Sequence, residues 1–287
     1  MTNRLPDPVT RLVHLGSRTY GRLTAEHRML PSFLICGGQR CGTTSMYRAL
    51  SQHPAVLKAV LHKGVHYFDV GYERGPRWYR AHFPTLRAAQ RRAATTTVPP
   101  QTFESSPYYL YHPHAAGRIA ADLPEARLIV LVRDPVERAY SHHTHEVARG
   151  FESEPSFARA LALEADRLRG VPERMRRDPY HQSLSHRHHA YVGRGEYADH
   201  LDRLAGAVGR ARIHVVDSAR FFAEPRSSYD AVLDFLGLPR GGYPTFDRHN
   251  ARPRSPLDPV LRDRLGAHFT PYDERLVSWL GRDPSWR

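Results

Sequence analysis

The chain has 287 residues, of which 42 are lysine or arginine and 29 are aspartate or glutamate, giving a formal net charge of +13. This length allows one α/β domain with a full core, or at most two domains. The lack of any apolar run of about 18 residues argues against a membrane-spanning helix. The basic residues are scattered without interleaved aromatic side chains. We therefore expect an anion site such as a nucleotide site, and no nucleic acid partner, although a dedicated polyanion groove is the alternative.

The first 30 residues are polar and irregular, with a short helical pattern over Val9–Tyr20. We expect them to form a surface appendage, residues 1–30, before a main domain that covers residues 31–287. Their beginning has no apolar h-region, so the sequence predicts no signal peptide. The chain has two cysteines, Cys36 and Cys41, which are too few and too close together for a disulfide framework.

A strand, a glycine-rich loop and a helix follow one another from residue 33. Phe33–Cys36 is a short apolar run typical of a buried strand, and Thr43–Gln52 has a helical pattern that Pro54 ends. The glycines between them allow a tight turn and a close approach to a ligand. Free backbone N–H groups and the helix dipole then both face an anion, so this arrangement is typical of a phosphate site. An ordinary strand-to-helix turn is the alternative.

The loop differs from an ATP-binding loop at one position. The Walker A pattern is G-x-x-x-x-G-K-[ST], and here Gly37 and Gly42 have its spacing while Thr43 replaces its lysine. Arg40 is the basic residue of the loop, which suits a single phosphate or a phosphosulfate. A P-loop kinase would also need a carboxylate that binds Mg²⁺ after an apolar strand, where this sequence has Arg133.

Residues 38–45, Gly-Gln-Arg-Cys-Gly-Thr-Thr-Ser, resemble the 5′-phosphosulfate loop of the sulfotransferases, G-x-x-K/R-x-G-T-T/S. That family uses 3′-phosphoadenosine 5′-phosphosulfate as its donor. The resemblance is strongest to the branch that contains the heparan sulfate sulfotransferases and their bacterial relatives. It implies that the donor is bound by Gly38, Gln39, Arg40, Cys41, Gly42, Thr43, Thr44 and Ser45.

After a predicted second strand, Val56–Val60, the segment from Lys63 to Asp69 resembles the family motif K-E-x-H-F-F beside the acceptor. In the heparan sulfate branch its glutamate is the expected catalytic base, and here that position is Gly64. His66 would point to the same side of an extended chain, and a histidine can accept a proton from a hydroxyl at neutral pH. We predict that His66 is the base; orienting or packing beneath the acceptor is the alternative. The resemblance places Lys63 near the transferred group and Asp69 beside the acceptor.

Thr102–Tyr109 begins like a strand and resembles the family motif G-E-x-S/T-P-x-Y. Glu104 lies where the strand should end, which is the ligand edge of an open parallel sheet. It is our second candidate for the base, with a structural carboxylate that accepts loop N–H groups as the alternative. We expect Tyr108 to contact the acceptor. The aromatic-rich stretch Tyr72–Pro84 is assigned mainly to packing, and Arg87–Pro100 to an exposed polar linker.

The apolar run over residues 127–133 is typical of a central parallel strand covered on both faces. Asp134 suits the N-cap and Pro135 the first position of the helix that follows. Residues 133–141 resemble the 3′-phosphate motif R-D-P-x-x-R-x-x-S of the sulfotransferases. The resemblance implies that Arg133 and Ser141 bind the 3′-phosphate of the donor. A well-capped helix alone would not require that arginine or that serine spacing.

The rest of the chain alternates between helices, one strand and loops. Histidines 142, 143 and 145 form a cluster, but no second ligand set follows with fitting spacing, so we expect no metal. Gly170–Ala190 is interpreted as a mobile or acceptor-facing loop, and residues 212–217 as a strand. The resemblance implies donor contacts for Tyr197 and, in a basic loop over the nucleotide, for Arg252 and Arg254. Helices are predicted over 112–123, 220–236, 258–269 and 271–280.

These patterns predict an α/β fold with a central, mostly parallel sheet of about five strands flanked by helices. The resemblance makes it a P-loop-like, three-layer sulfotransferase fold. We expect in-line transfer of a sulfuryl group from 3′-phosphoadenosine 5′-phosphosulfate to a carbohydrate or small-metabolite hydroxyl, with adenosine 3′,5′-bisphosphate as product. Relatives that modify extracellular glycans usually carry a membrane anchor. Because the sequence predicts no such anchor here, we expect a cytoplasmic enzyme. A non-catalytic nucleotide- or polyanion-binding protein and a P-loop kinase are the alternatives, and the sequence leaves the oligomeric state open.

Overall fold

A five-stranded parallel sheet forms the centre of the computed structural model, which describes residues 19–247 and 255–287. The strand order is β2-β3-β1-β4-β5, and each neighbouring pair is parallel. This confirms the predicted α/β class. The strands are β1 Phe33–Gly37, β2 Val56–Lys58, β3 Gln101–Ser105, β4 Arg127–Val132 and β5 Ile213–Asp217.

Helices flank the sheet and connect its strands. Between β1 and β4 lie α1 Thr43–Leu50, α2 Gly75–Arg80, α3 Leu86–Ala93 and α4 Ala115–Asp122. Between β4 and β5 lie α5 Pro135–Arg149, α6 Phe157–Leu168, α7 Val171–Arg177, α8 Leu184–His188 and α9 Tyr197–Val208. After β5 come α10 Ser218–Ala223, α11 Pro225–Leu236 and α12 Pro259–Leu280. Short 3-10 turns occur at Ala25–His27, Tyr72–Arg74, Gly193–Gly195 and Arg210–Arg212.

The central strands are buried over their whole length. Every residue of β1 is buried, as is every residue of β4 after Arg127. A strand covered on both faces needs a continuous apolar run, which explains why these two were readable from the sequence. Across the β1–β3 pair, the rings of Phe33 and Phe103 stack with their centroids 4.6 Å apart.

The strand order determines where a ligand can bind. From β1 the chain first builds β2 and β3 on one side, and then β4 and β5 on the other. The order therefore reverses beside β1. In open parallel sheets this reversal opens a crevice outside the carboxyl ends of the strands. The loop after β1 and the start of α5 both lie at that edge.

The start of α5 confirms the capping expected from the sequence. The side chain of Asp134 accepts hydrogen bonds from the backbone N–H groups of Val136, at 2.9 Å, and Glu137, at 3.2 Å. Pro135 occupies the first helical position, where no donor is needed. The helix thus begins directly after β4, and its free N–H groups point towards the ligand edge of the sheet.

Several regions differ from their sequence-based assignments. The single helix predicted over 220–236 is two helices, α10 and α11, because Glu224 leaves the helical conformation before Pro225. The stretch interpreted as a polar linker, Arg87–Pro100, contains most of α3, whose N-cap Thr85 accepts from the N–H of Ala88 at 3.2 Å. Gly170–Ala190 contains α7 and α8 instead of a continuous loop. The two predicted closing helices are one helix, α12, which continues through Pro271. In α12, packing of the apolar side of the helix outweighs the hydrogen bond that a proline removes.

Part of the predicted N-terminal appendage packs onto the main body. Ala25, Arg28 and Met29 are buried, and Arg28 donates to the carbonyl of Phe83 at 2.6 Å. Most of the helical pattern predicted over Val9–Tyr20 lies outside the described residues, so the boundary after residue 30 stays a prediction. Within residues 19–247 and 255–287, no helix combines the length and the apolar character needed to cross a bilayer.

Candidate active site

A cavity of about 570 Å³ lies at the carboxyl ends of the strands. The segment that follows each of the five strands contributes to its wall. The described lining residues are Gln39, Arg40, Gly42, Thr43, Thr44, Lys63, His66, Pro107, Tyr108, Arg133, Ser141, His145, Arg149, Arg187, His188, Arg194, Ser218, Ala219 and Phe222. None of these residues is acidic, so the cavity is suited to an anionic ligand.

The loop between β1 and α1 forms one wall of the cavity. Gly42 caps α1 with φ +86°, a left-handed conformation that favours glycine. Arg40 also has positive φ, +70°, which is uncommon for a residue with a side chain. This backbone turns the first N–H groups of α1 towards the cavity and places the Arg40 side chain in it. This geometry suits the anion site predicted for residues 38–45, of which residues 39, 40 and 42–44 line the cavity.

Lys63 places an ammonium group beside this loop from a different element. Its Nζ donates to the Thr43 hydroxyl at 3.2 Å and to the Thr44 hydroxyl at 3.1 Å. Burial lowers the pKa of Lys63 to about 8, although the charge of Glu104 partly opposes this change. The lysine that the loop lacks is thus replaced in space by one that follows β2.

The second predicted anion site is connected to the first. The Arg40 Nε donates to the Ser141 hydroxyl on α5 at 3.1 Å. Arg133, at the end of β4, lines the same cavity and lies 3.5 Å from the carboxylate of Glu137. The two phosphate motifs, which are about 100 residues apart in the sequence, therefore share one cavity, as the resemblance requires.

His66 lines the cavity and is paired with a buried carboxylate. Its Nδ1 lies 2.7 Å from Oδ2 of Asp69, whose side chain is fully buried while that of His66 is 35% exposed. Since a carboxylate only accepts, Nδ1 carries the proton and Nε2 is the nitrogen that can accept one. Burial alone would lower the pKa of His66, but the charge and hydrogen bond of Asp69 outweigh it and raise the pKa. His66 also has φ +56°, a strained conformation of the kind found at functional sites.

Glu104 lies beneath the cavity and is fully buried. Its Oε1 accepts from the Tyr109 hydroxyl at 2.6 Å, and its Oε2 accepts from the Ser106 hydroxyl at 2.7 Å and the Val65 N–H at 3.1 Å. It is not among the described lining residues. Burial raises the pKa of Glu104 in spite of these bonds. This geometry favours the structural alternative, in which the carboxylate holds the loop that carries His66.

The other predicted site residues lie at different depths. Tyr108 lines the cavity, and its hydroxyl is 2.6 Å from Nδ1 of His186. Tyr197 and Cys41 are buried behind the loop, with hydroxyl and sulfur 3.4 Å apart, and do not line the cavity. Asp69 faces His66 instead of the cavity. Arg252 and Arg254 lie outside the described residues.

Several lining residues were not predicted. His145 and Arg149 follow the predicted Ser141 at intervals of four residues on α5, so one helix face lines the wall, and this spacing was readable from the sequence. Arg187 and His188 come from α8, in the region interpreted as a mobile or acceptor-facing loop. Another is Arg194 before α9, which had been given no role in the site. Ser218, Ala219 and Phe222 at α10 were singled out by no local pattern.

Two histidines of the cluster on α5 contact other groups of the protein. His143 Nε2 lies 2.8 Å from the carbonyl of Glu154, and His142 Nε2 lies 3.5 Å from Glu146. In the part of the chain that the structure describes, no group of three or more histidine, cysteine or carboxylate side chains is arranged to hold a metal ion.

Comparison with known proteins gives four consistent matches. The family described as "Sulfotransferase domain" matches residues 30–249. Human heparan sulfate glucosamine 3-O-sulfotransferase 6 is 29% identical over 283 residues, which cover 90% of this chain and 74% of that protein. Mouse bifunctional heparan sulfate N-deacetylase/N-sulfotransferase 4 is 26% identical over 295 residues, covering 92% of this chain but only 31% of that protein. The crystal structure of a sulfotransferase from Alicyclobacillus acidocaldarius matches with a TM-score of 0.65 and 28% identity, covering 90% of this chain and 98% of that one.

Proposed function

The chain belongs to the sulfotransferase domain family, and we propose that it transfers a sulfuryl group from 3′-phosphoadenosine 5′-phosphosulfate to a hydroxyl group of a carbohydrate or small metabolite. The observation that carries this proposal is the meeting of two anion sites in one cavity. The hydrogen bond of 3.1 Å between Arg40 and Ser141 joins the loop after β1 to the helix after β4. A donor with phosphate groups at both ends of its ribose fits two such sites, whereas a single phosphate does not need both.

The donor is held by groups that are already in place. The N–H groups of the loop, the start of α1 and the ammonium group of Lys63 receive the 5′-phosphosulfate. Arg133 and Ser141 receive the 3′-phosphate. Because these groups are fixed before the donor arrives, little reorganisation is needed on binding.

The reaction is an in-line displacement at sulfur. The acceptor oxygen forms a bond to sulfur as the bond from sulfur to the 5′-phosphate oxygen breaks, and adenosine 3′,5′-bisphosphate leaves with that electron pair. Arg40, Lys63 and the loop N–H groups stabilise the charge that grows on the leaving phosphate. The acceptor proton passes to Nε2 of His66. Much of the rate then comes from positioning and electrostatics, as in phosphoryl transfer.

Asp69 makes His66 suitable as the base. It fixes the tautomer by accepting the Nδ1 proton, and it stabilises the imidazolium that forms during transfer. Since the glutamate of the family motif is replaced by Gly64, the histidine and aspartate supply the basicity that a carboxylate supplies in the relatives' motif.

The charge of the cavity favours acceptors that carry negative charge. Arg149, Arg187, His145 and His188 line the cavity in addition to the residues assigned to the donor, and no carboxylate appears among the described lining residues. The two relatives described above are heparan sulfate sulfotransferases by name. We therefore place carbohydrates that carry acidic groups first among the candidate acceptors.

The test is transfer of labelled sulfate from the donor to a panel of neutral and acidic carbohydrates and small hydroxyl compounds. We expect His66→Gln to lower turnover by about 100-fold or more while the affinity for adenosine 3′,5′-bisphosphate is unchanged. The matched control is His268→Gln. His268 also pairs with a carboxylate, since its Nε2 lies 3.1 Å from Oε1 of Glu196, but it is not among the described residues that line the cavity. A loss of less than tenfold in His66→Gln would contradict its role as the base.

A non-catalytic binding protein is the second candidate, because Gly64 removes the expected glutamate. It predicts tight binding of the bisphosphate with no transfer to any member of the panel. A P-loop kinase predicts instead that ATP with Mg²⁺ binds in preference to the bisphosphate, although Thr43 occupies the place of the lysine that such an enzyme uses.

A further inference from the structure

A buried arginine beside the donor loop has no carboxylate partner of its own. Arg194 is 4% exposed and makes no ion pair with any acidic side chain in the described parts of the chain. It lies over the ring of Tyr108, 4.8 Å from the centroid, and over that of Tyr111, at 5.1 Å. A buried guanidinium without a counter-charge is costly, so its remaining contacts must explain why it is retained.

Those contacts lead into the donor loop. Arg194 Nη1 donates to Oε1 of Gln39, and Nη2 donates to the backbone carbonyls of His186, at 3.0 Å, and Arg187. Gln39 is the residue directly before Arg40. The amide oxygen of Gln39 is thus held by a cation that is itself fixed by backbone and aromatic groups.

The amide nitrogen of Gln39 is held from the opposite side. Its Nε2 donates to Oε1 of Glu146 on α5 at 3.3 Å. Glu146 is fully buried, and its Oε2 lies 2.8 Å from Nδ1 of His188. Burial alone would raise the pKa of Glu146, but hydrogen bonds from His142 and His188 outweigh it and hold the pKa well below its usual value. The acceptor of the Gln39 amide is therefore an ionised carboxylate.

We infer that Arg194 and Glu146 are positioning residues, which fix the donor loop through hydrogen bonds to the oxygen and the nitrogen of the Gln39 side-chain amide. We call the chain Arg194–Gln39–Glu146 the Gln39 bridge. With Gln39 held on both sides, the next residue keeps the left-handed backbone, φ +70°, that directs the Arg40 side chain to Ser141. The bridge thus acts on the transferred group through Arg40. Its consequence for turnover rests on the proposed function, whereas its effect on the loop does not.

Glu146 gives the sharpest variant, because it is not among the described lining residues and reaches the donor loop through Gln39, while its other oxygen contacts His188. Glu146→Gln keeps the shape but removes the charge, and it turns an amide N–H₂ group towards Gln39 or His188. Arg194→Lys keeps the charge but loses the fork that reaches Gln39 and two carbonyls at once. Arg28→Lys is the matched control, since Arg28 is also 4% exposed and bonds the backbone carbonyl of Phe83, but it precedes β1 whereas the loop follows that strand.

The experiment is hydrogen–deuterium exchange of the ligand-free protein, followed over residues 37–46. We expect exchange in this segment to be about tenfold faster in Glu146→Gln and Arg194→Lys, which corresponds to about 1.4 kcal/mol of lost local stability. Exchange of β4 should stay at the wild-type rate, and Arg28→Lys should behave as wild type in the loop. Adenosine 3′,5′-bisphosphate should bind about tenfold more weakly to both bridge variants.

Loop exchange within twofold of wild type in both variants would overturn the inference. If a variant at 146 or 194 fails to fold, Gln39→Met decides the question, because it removes both hydrogen bonds of the bridge while keeping the side-chain volume. Failure of the wild type to bind the bisphosphate would count against the proposed function alone, since the exchange rates still report on the bridge.

Discussion

Gly64 provides a sharp test of the proposal that this chain uses a base other than the glutamate of the family motif. A Cβ atom at position 64 would lie 2.6 Å from the backbone oxygen of Ser105 and 2.9 Å from the hydroxyl of Ser106. Cβ atoms in proteins essentially never lie within 3.0 Å of such an atom. The backbone of Ser105 cannot move away easily, because its N–H donates to the carbonyl of Lys63 at 2.8 Å. Position 64 is therefore closed to any side chain, including the glutamate of the family motif.

We expect Gly64→Ala to destabilise the protein by about 1–3 kcal/mol, the usual cost of overpacking a rigid site. Thermal unfolding should show a fall of about 2–4 °C for each kcal/mol. Gly117→Ala is the control, because a Cβ atom there would meet no atom within 4 Å and alanine favours the helix α4. Its melting temperature should equal or exceed that of wild type.

A Gly64→Ala variant as stable as wild type would show that position 64 is open to a side chain. A Gly64→Glu variant that folds and gains turnover would show the same, because the family glutamate could then be restored simply by substitution.

Three further predictions concern pH and stability. Because Asp69 raises the pKa of His66, kcat/KM should increase with pH as His66 loses its proton, and Asp69→Asn should shift this acidic limb to lower pH; a limb that stays in place would exclude His66 as its source. Lys63 has a pKa of about 8, so kcat/KM should fall above that pH, and Lys63→Arg should remove this alkaline limb because an arginine stays charged. Asp134→Ala should cost about 1 kcal/mol in urea unfolding by removing the N-cap of α5, and a change below 0.3 kcal/mol would contradict the capping role.

The elements that could be predicted from the sequence are those fixed by local chemistry. The strand over residues 127–132 is a continuous apolar run, and the helix after it begins where Asp134 can cap it. Both depend on neighbours in the chain. The same holds for the strand, loop and helix from Phe33 to Leu50, whose glycines and apolar residues lie within one short segment.

The parts that escaped prediction depend on contacts between distant segments. Lys63 takes the place of the missing loop lysine only because β2 ends beside α1 in the sheet. Arg194 reaches Gln39 across more than 150 residues, and no spacing rule links them. Glu104 looked like a second base because it ends a strand, but the hydroxyls that enclose it become visible only after the chain is folded.

The most direct test of the two-phosphate site is calorimetric titration with adenosine 3′,5′-bisphosphate, on the wild type and on Arg133→Ala, with ATP and Mg²⁺ in parallel. We expect micromolar binding of the bisphosphate by the wild type, at least about tenfold weaker binding by the variant, and no comparable binding of ATP. Tight binding of ATP without any response to the bisphosphate would contradict the proposed donor.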